Sequence, residues 1–360
     1  SIKSKGLYIS QEIKELIKAK ALDIGFNDVR FISTEPLIKS EENFLEWRNK
    51  GFAADMNYLL KENPINARPQ YLLEDAKTII MFSANYYSEC PPRPSNKHGR
   101  IAAYATGLDY HKVLRKKIKA LIEDDELKTI FAKSKFFTDA VPLLEKSFAN
   151  KAGLGFRGKN TLLISRETGS FNFIAEIITD LELEPDYESS LRAERSNPHA
   201  STDAITCGNC TRCSDICPTE ALPTAYQLDA RKCISYHTIE NRNEIPKDLA
   251  KNFGEWFFGC DLCQTICPYN KKAVKSGKLK TFDEFKPEVG FGHWINLEEI
   301  LDLELGKHKN IESLQTRLQG HKFQKDLAQS SLKQINKLLD NSKQVTEELL
   351  DKIFQIKFAR

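Results

Sequence analysis

Two stretches decide how this chain folds. One is Cys207-Gly208-Asn209-Cys210-Thr211-Arg212-Cys213-Ser214-Asp215-Ile216-Cys217-Pro218. The other is Phe257-Phe258-Gly259-Cys260-Asp261-Leu262-Cys263-Gln264-Thr265-Ile266-Cys267-Pro268. The first has the C-x2-C-x2-C-x3-C-P spacing of bacterial ferredoxins, in which each iron–sulfur cluster takes four thiolates. The second repeats that spacing with Phe257 where its first cysteine should stand. In two-cluster proteins the fourth cysteine of a run ligates the other cluster. Cys207, Cys210 and Cys213 therefore call for Cys267. Cys260 and Cys263 call for Cys217 and still lack one ligand. Cys233 is the cysteine left between the runs, and it substitutes for the ligand absent at Phe257. Eight cysteines then hold two 4Fe–4S clusters. Zinc knuckles pair C-x2-C units and have no use for the x2-x2-x3-Pro spacing. The remaining cysteine, Cys90, lies in a proline-rich loop and is read as a spare thiol without a role.

The 360 residues suffice for two or three domains. Net charge is only +3, from 53 basic and 50 acidic residues, so no global field announces nucleic acid. No apolar run reaches the length that spans a bilayer. Residues 1–25 lack the basic-then-apolar layout of a signal peptide. They read as an amphipathic helix with Ile13, Leu16, Ile17, Ala21 and Ile24 on one face and Gly25 as its stop. Clustered cysteines without an export signal suit a reducing compartment, so the expected location is the cytoplasm. A monomer is the expected state.

Before the cysteines the pattern is mixed α/β. Residues 76–87 read as a strand rich in Ile, Phe and Tyr. Residues 109–122 have helical spacing, with Tyr110, Val113, Leu114, Ile118 and Leu121 on one face and Asp109 as N-cap. Residues 135–138 read as a short strand leading into Asp139, and Pro142 as the start of a helix ending near Gly153. Residues 161–165 and 170–179 flank a four-residue loop and read as a hairpin. Residues 271–280 carry Lys271, Lys272, Lys275, Lys278 and Lys280 without an acid. Beyond them, 297–303, 311–318, 322–339 and 346–358 have the periodicity of successive helices, a small helical-repeat tail. The fold class is α+β. An N-terminal α/β domain spans 1–205, a ferredoxin-like insert 206–270 and a helical tail 271–360.

Two motifs mislead. Gly153-Leu154-Gly155-Phe156-Arg157-Gly158 matches G-x-G-x-x-G, but a dinucleotide site needs a strand before it and a helix after it, and here the order is reversed. The glycines instead let a tight connection pass something bulky. Asp109-Tyr110-His111 begins like D-x-H-x-x-G, a loop that supplies an axial histidine to cobalamin, but Leu114 replaces the glycine on a helical segment. His111 remains a candidate polar group near a substrate or cofactor.

Several segments resemble the epoxyqueuosine reductase family: residues 233–246, 257–268 and 153–164, together with Asp55-Met56-Asn57-Tyr58-Leu59 and Asp109-Tyr110-His111. The resemblance covers nearly the whole chain and is strongest from Asp139 to Asn270. It implies a cobalamin enzyme with two 4Fe–4S clusters that removes the epoxide oxygen from epoxyqueuosine in tRNA. It also implies that the acid is the aspartate of an Asp-x-x-Pro segment, here Asp139-Ala140-Val141-Pro142. Ala140 departs from the threonine common in the family, and the acid is retained. Low-potential electrons from cysteine-ligated clusters would make cobalt(I), and the chemistry at carbon belongs to the cofactor. Ser235 follows Cys233 and Asp261 adjoins Cys260, so both are tethered to the second cluster and are candidate cobalamin contacts, as are Lys159 and Asn160. Arg242, in an exposed-looking loop, is free to reach a phosphate or base, and Lys271, Lys272 and Lys275 follow closely after Cys267 as candidate RNA contacts. The partners implied are the modified tRNA and a low-potential electron donor of unknown identity. A reductive dehalogenase shares the cofactors but usually carries a twin-arginine signal. A plain iron–sulfur electron carrier would have no use for the Asp139 and Gly158-Lys159-Asn160 segments.

Overall fold

The computed structural model describes residues 2–60, 67–186, 206–241, 243 and 245–297, with backbone alone for 2–9. Arg242 and the helices expected beyond residue 297 lie outside the described residues.

The strand expected around residue 80 is the spine of the fold. β1 (Asp28–Ser33), β2 (Thr78–Asn85), β3 (His98–Ile101), β4 (Ser134–Phe137), β5 (Phe156–Arg157), β6 (Leu163–Ile164), β7 (Asn172–Thr179), β8 (Trp256–Phe258) and β9 (Trp294–Asn296) are the strands of the described residues. The main sheet has the order β1-β2-β7-β4, antiparallel throughout. β2 is buried along its whole length because both faces of the sheet are covered. Alternation sends Ile80, Phe82 and Ala84 to one face and Ile79 and Met81 to the other. On the first face lie the helix Ile2–Ile24, through Ile17 and Ala21, and the helix Tyr110–Ile122, through Val113, Leu114, Ile118 and Leu121. Burying each such side chain stabilises the fold by roughly 1.5–3 kcal/mol. Gly25 ends the first helix at φ +113°, and the Asp109 carboxylate accepts the His111 N–H at the start of the second. On the opposite face sits the helix Glu145–Lys151, through Phe148 and Ala149.

The second sheet, β8-β3-β9, joins the N-terminal region to the cysteine-rich one, with β3 and β8 parallel. Phe257, at the position of the absent cysteine, is a buried core residue of β8. Its Cβ approaches Gly99 so closely that a side chain there would clash at 2.6 Å. Among the described residues no helix is long and apolar enough to cross a membrane.

Two expectations need correction. The hairpin does not form. Residues 165–169 do make a tight turn, bridged by Ser165 and Gly169, but β6 pairs with β5 whereas β7 pairs with β2 and β4. The helix expected from Pro142 begins at Glu145, because residues 139–144 form a turn in which the Asp139 N–H is taken by Glu145. The lysine-rich stretch starts as a helix, Pro268–Lys275, anchored by buried Ala273 and Asn270.

Candidate active site and cluster-binding cysteines

None of the nine cysteines is in a disulfide. The structure gathers eight of them into two groups. Cys213 and Cys267 each lie in the field of Cys207 and Cys210. A cavity of about 50 Å³ is lined by these four thiols with Lys159, Asn160, Ile164 and Tyr269. Cys260 lies in the field of Cys233 and Cys217, and Cys263 in that of Cys260 and Cys233. The sulfurs stand at the starts of short helical turns, where free amides point at them. Ser235 and Tyr236 offer N–H groups to Cys233, Leu262 to Cys260, and Tyr269 and Asn270 to Cys267. The Ala221 N–H donates to Cys217 Sγ at 3.3 Å. Such amides favour thiolate and tune a bound cluster. Burial pushes the Cys260 and Cys263 thiols up, so binding a metal group there must expel their protons. Among the described residues no three His, Cys, Asp or Glu side chains converge on a single ion; a cubane spaces its thiolates more widely than one ion does.

The Gly158–Asn160 turn lies across both groups. A Cβ on Gly158 would meet Ile164 at 2.5 Å and Asn160 at 2.6 Å, which is the close approach the glycine-rich run allows. The Lys159 N–H donates to Cys207 Sγ at 3.4 Å, and its ammonium donates to the carbonyls of Gly208 and Cys210. Buried Asn160 donates to the Cys263 carbonyl at 3.3 Å. Asp261 is buried as well: its oxygens accept from the Ala103 N–H at 2.7 Å and from Gln264 at 3.2 Å, and burial pushes its carboxyl up to about 6. Lys159 and Asn160 thus spend these polar groups on the cysteine segments, and Asp261 on Ala103 and Gln264. Ser235 is half-buried on the short helix Ile234–Ile239.

Asp139 stands apart from the cysteines, at the end of β4. Its backbone is left-handed, φ +47°, a conformation costing a non-glycine residue about 1–2 kcal/mol. Its N–H donates to Glu145 Oε1 at 3.0 Å, and its Oδ2 accepts from the Tyr110 hydroxyl at 2.7 Å. His111 Nε2 is 3.9 Å from the same oxygen, while Nδ1 faces Asp109 at 3.0 Å. Tyr110 is clamped between the rings of Phe173 and His111, so its hydroxyl is fixed in place. Burial, then the Asp139 charge, pushes the Tyr110 phenol far up, so it stays protonated and donates to Asp139. The Asp139 carboxylate itself remains exposed. Burial pushes the Tyr104 phenol up, with smaller contributions from the charges of Asp261 and Asp139.

Asp139 and Glu145 also border a cleft of about 520 Å³. Its walls combine amides and hydroxyls, among them Asn43, Ser147 and Asn150, with apolar side chains such as Trp47 and Leu143 and with the charged Lys146 and Arg157. That mixture fits a flat, largely hydrocarbon macrocycle fringed by carboxamides. Sequence reasoning missed Tyr110 as a site residue because its position also suits the helix's apolar face. It missed Glu145 and Glu176 too. A lone glutamate in the apolar run of β7 was the available signal.

A double-cluster cradle joined to an antiparallel sheet that presents an acid defines an iron–sulfur oxidoreductase. Residues 206–270 match the family model described as 4Fe-4S double cluster binding domain, and residues 67–140 match Epoxyqueuosine reductase QueG, DUF1730. The epoxyqueuosine reductase of Cellulophaga algicola is 39% identical over 261 residues, covering 71% of this chain and 79% of that one. The Escherichia coli K12 epoxyqueuosine reductase is 35% identical over 280 residues, 77% of this chain and 69% of that one. A crystal structure of epoxyqueuosine reductase with an epoxyqueuosine-modified tRNA-Tyr stem loop matches with a TM-score of 0.65 at 25% identity, over 97% of this chain and 99% of that one. The Bacillus subtilis structure with its catalytic loop swung out of the active site shares the fold at a TM-score of 0.67 and 24% identity, over 98% and 100% of the two chains. The chain belongs to the epoxyqueuosine reductase family.

Proposed function

We propose that this chain reduces epoxyqueuosine to queuosine within the anticodon loop of tRNA, with cobalamin and two 4Fe–4S clusters as cofactors. Cys207, Cys210, Cys213 and Cys267 would hold one cluster, and Cys217, Cys233, Cys260 and Cys263 the other. Bound cobalamin would supply a low-valent cobalt nucleophile for the epoxide carbon, and the clusters its low-potential electrons. The residues around the Asp139 cleft would hold the cofactor's edge, with Ser235 facing it from the second cluster. The chain's own chemistry centres on Asp139. Its exposed carboxyl delivers a proton to the epoxide oxygen, and Tyr110 orients that carboxyl through Oδ2. Replacing the epoxide by an alkene consumes two electrons and two protons and releases water.

Lys271, Lys272 and Lys275 are exposed on the helix that follows Cys267 and have no ion-pair partner among the described residues. They offer charge to a phosphate backbone close to the cluster domain. The domain plan of residues 1–205, 206–270 and 271–360 belongs to the same proposal.

The observation that carries the reading is an exposed, left-handed Asp139 at the border of the cleft, its Oδ2 accepting from the ring-clamped Tyr110 hydroxyl at 2.7 Å. Asp139→Asn tests it. The variant should keep its iron and its tRNA affinity and lose about 100-fold or more in single-turnover reduction, because an amide is no proton donor of useful strength. Wild-type turnover in Asp139→Asn would reduce Asp139 to a structural turn residue.

A further inference from the structure

Beneath Asp139 lies a pair of carboxyl groups that the chemistry above does not use. Glu176, on β7, is fully buried in the main sheet. No amide, hydroxyl or cation among the described residues donates to either of its oxygens. The charge that acts on it most is that of the Glu145 carboxyl, and burial raises the proton affinity of both groups. An isolated buried carboxylate would cost several kcal/mol, so Glu176 is neutral and carries a proton. A neutral carboxyl is a donor, and Glu145 is its acceptor. Glu145 Oε1 in turn accepts the Asp139 N–H at 3.0 Å and so secures the left-handed backbone that aims the acid outward.

We propose that Glu176 and Glu145 are positioning residues for Asp139: the Glu176 hydroxyl holds Glu145, and Glu145 holds the Asp139 turn against its own strain. This rests on the reading of Asp139 as the acid, but the hydrogen bonds are properties of the chain alone. A left-handed aspartate has an intrinsic preference for other conformations. Without the Glu145 acceptor its amide is left without that partner and the turn relaxes. The charged and titratable groups around the pair are Asp139, Lys146 and Tyr110, with Arg157 beyond Lys146. Burial, with Asp139 adding to it, pushes Glu145 up to about 7, and burial and the Glu145 charge push Glu176 higher still. The pair therefore keeps at least one proton at neutral pH, which is what its hydrogen bond needs.

The test reads the turn and the chemistry separately, on the full chain with its clusters. Hydrogen exchange at the Asp139 amide, corrected for intrinsic pH dependence, reports the turn. Single-turnover reduction of epoxyqueuosine-containing tRNA reports the chemistry. Glu145→Ala should lose Asp139 protection and slow turnover by up to about 100-fold, the scale of a displaced catalytic group, with tRNA affinity and iron content retained. Glu145→Gln keeps a carbonyl acceptor and should restore most of both. Glu176→Gln keeps a donor and should stay near wild type in protection, whereas Glu176→Leu removes the donor and should weaken it. Unchanged protection in folded Glu145→Ala would overturn the proposal, as would equal protection in Glu176→Gln and Glu176→Leu. If wild-type protein fails to reduce the nucleoside, the functional reading falls while the exchange measurement still decides the positioning claim.

Discussion

Gly259 offers a sharp test of how the cysteine cradle is built. It turns the chain from β8 to Cys260 at φ +69°, and its N–H donates to the Thr238 hydroxyl at 2.9 Å. A Cβ at this position would stand 2.5 Å from the Ala102 Cβ and 3.0 Å from the Tyr104 ring. The left-handed conformation costs alanine about 1–2 kcal/mol, and forcing a methyl into a packed site adds about 1–3 kcal/mol. Together, about 2–5 kcal/mol falls on Gly259→Ala. That is less than the whole stability of most domains, about 5–15 kcal/mol, so the fold should survive while the local turn yields. Cys260 is the next residue and belongs to the group with Cys217, Cys233 and Cys263. The variant should therefore assemble one cluster and lose the other, dropping from roughly eight irons per chain to roughly four, with a lower melting temperature. Full iron content with an unchanged melting temperature would refute the claim that this turn sets the Cys260 position.

Two further predictions concern charge. Replacing Lys271, Lys272 and Lys275 together with Gln should weaken tRNA binding and make the plot of log affinity against log salt shallower, by about 0.7–0.9 per lost phosphate contact; an unaltered slope would place the RNA footprint elsewhere. Glu145, raised from the ordinary 4.5 to about 7, binds a proton in the folded chain that the unfolded chain releases across that interval. Its contribution to stability is present below about pH 4.5 and is lost as pH rises to about 7. Glu145→Gln should flatten the melting-temperature profile in that window, and superimposable profiles would contradict the assignment.

Much of this was legible in the sequence wherever a single segment carries its own signal. The spacing of two cysteine runs was enough to group Cys207, Cys210 and Cys213 with Cys267, because cluster ligands come from fixed local turns. The strand Thr78–Asn85 and the helix Tyr110–Ile122 announced themselves by apolar runs and by period. The hairpin failed because its turn is local but its pairing is not: β6 and β7 flank a real Ser165–Gly169 bridge and then join different sheets. The start of the helix Glu145–Lys151 was misplaced because Glu145 reaches back to Asp139, a contact that a proline rule does not contain. The role of Glu176 was missed for a related reason. Within its strand it is a lone acid in an apolar run, a signal without a role until Glu145 on another element is set beside it. Lys159, Asn160 and Asp261 were expected as cobalamin contacts from their place in the sequence; that Lys159 and Asn160 bond to the cysteine segments and Asp261 to the Ala103 N–H emerges only from the packing.

The most direct measurement of the account is nucleoside analysis of tRNA carrying epoxyqueuosine after anaerobic incubation with the chain, its clusters reconstituted, a low-potential electron donor, and cobalamin present or omitted. The account predicts cobalamin-dependent conversion to queuosine, seen as the loss of one oxygen atom from the modified nucleoside. An unchanged nucleoside, with both clusters and cobalamin verified in the protein, would contradict it.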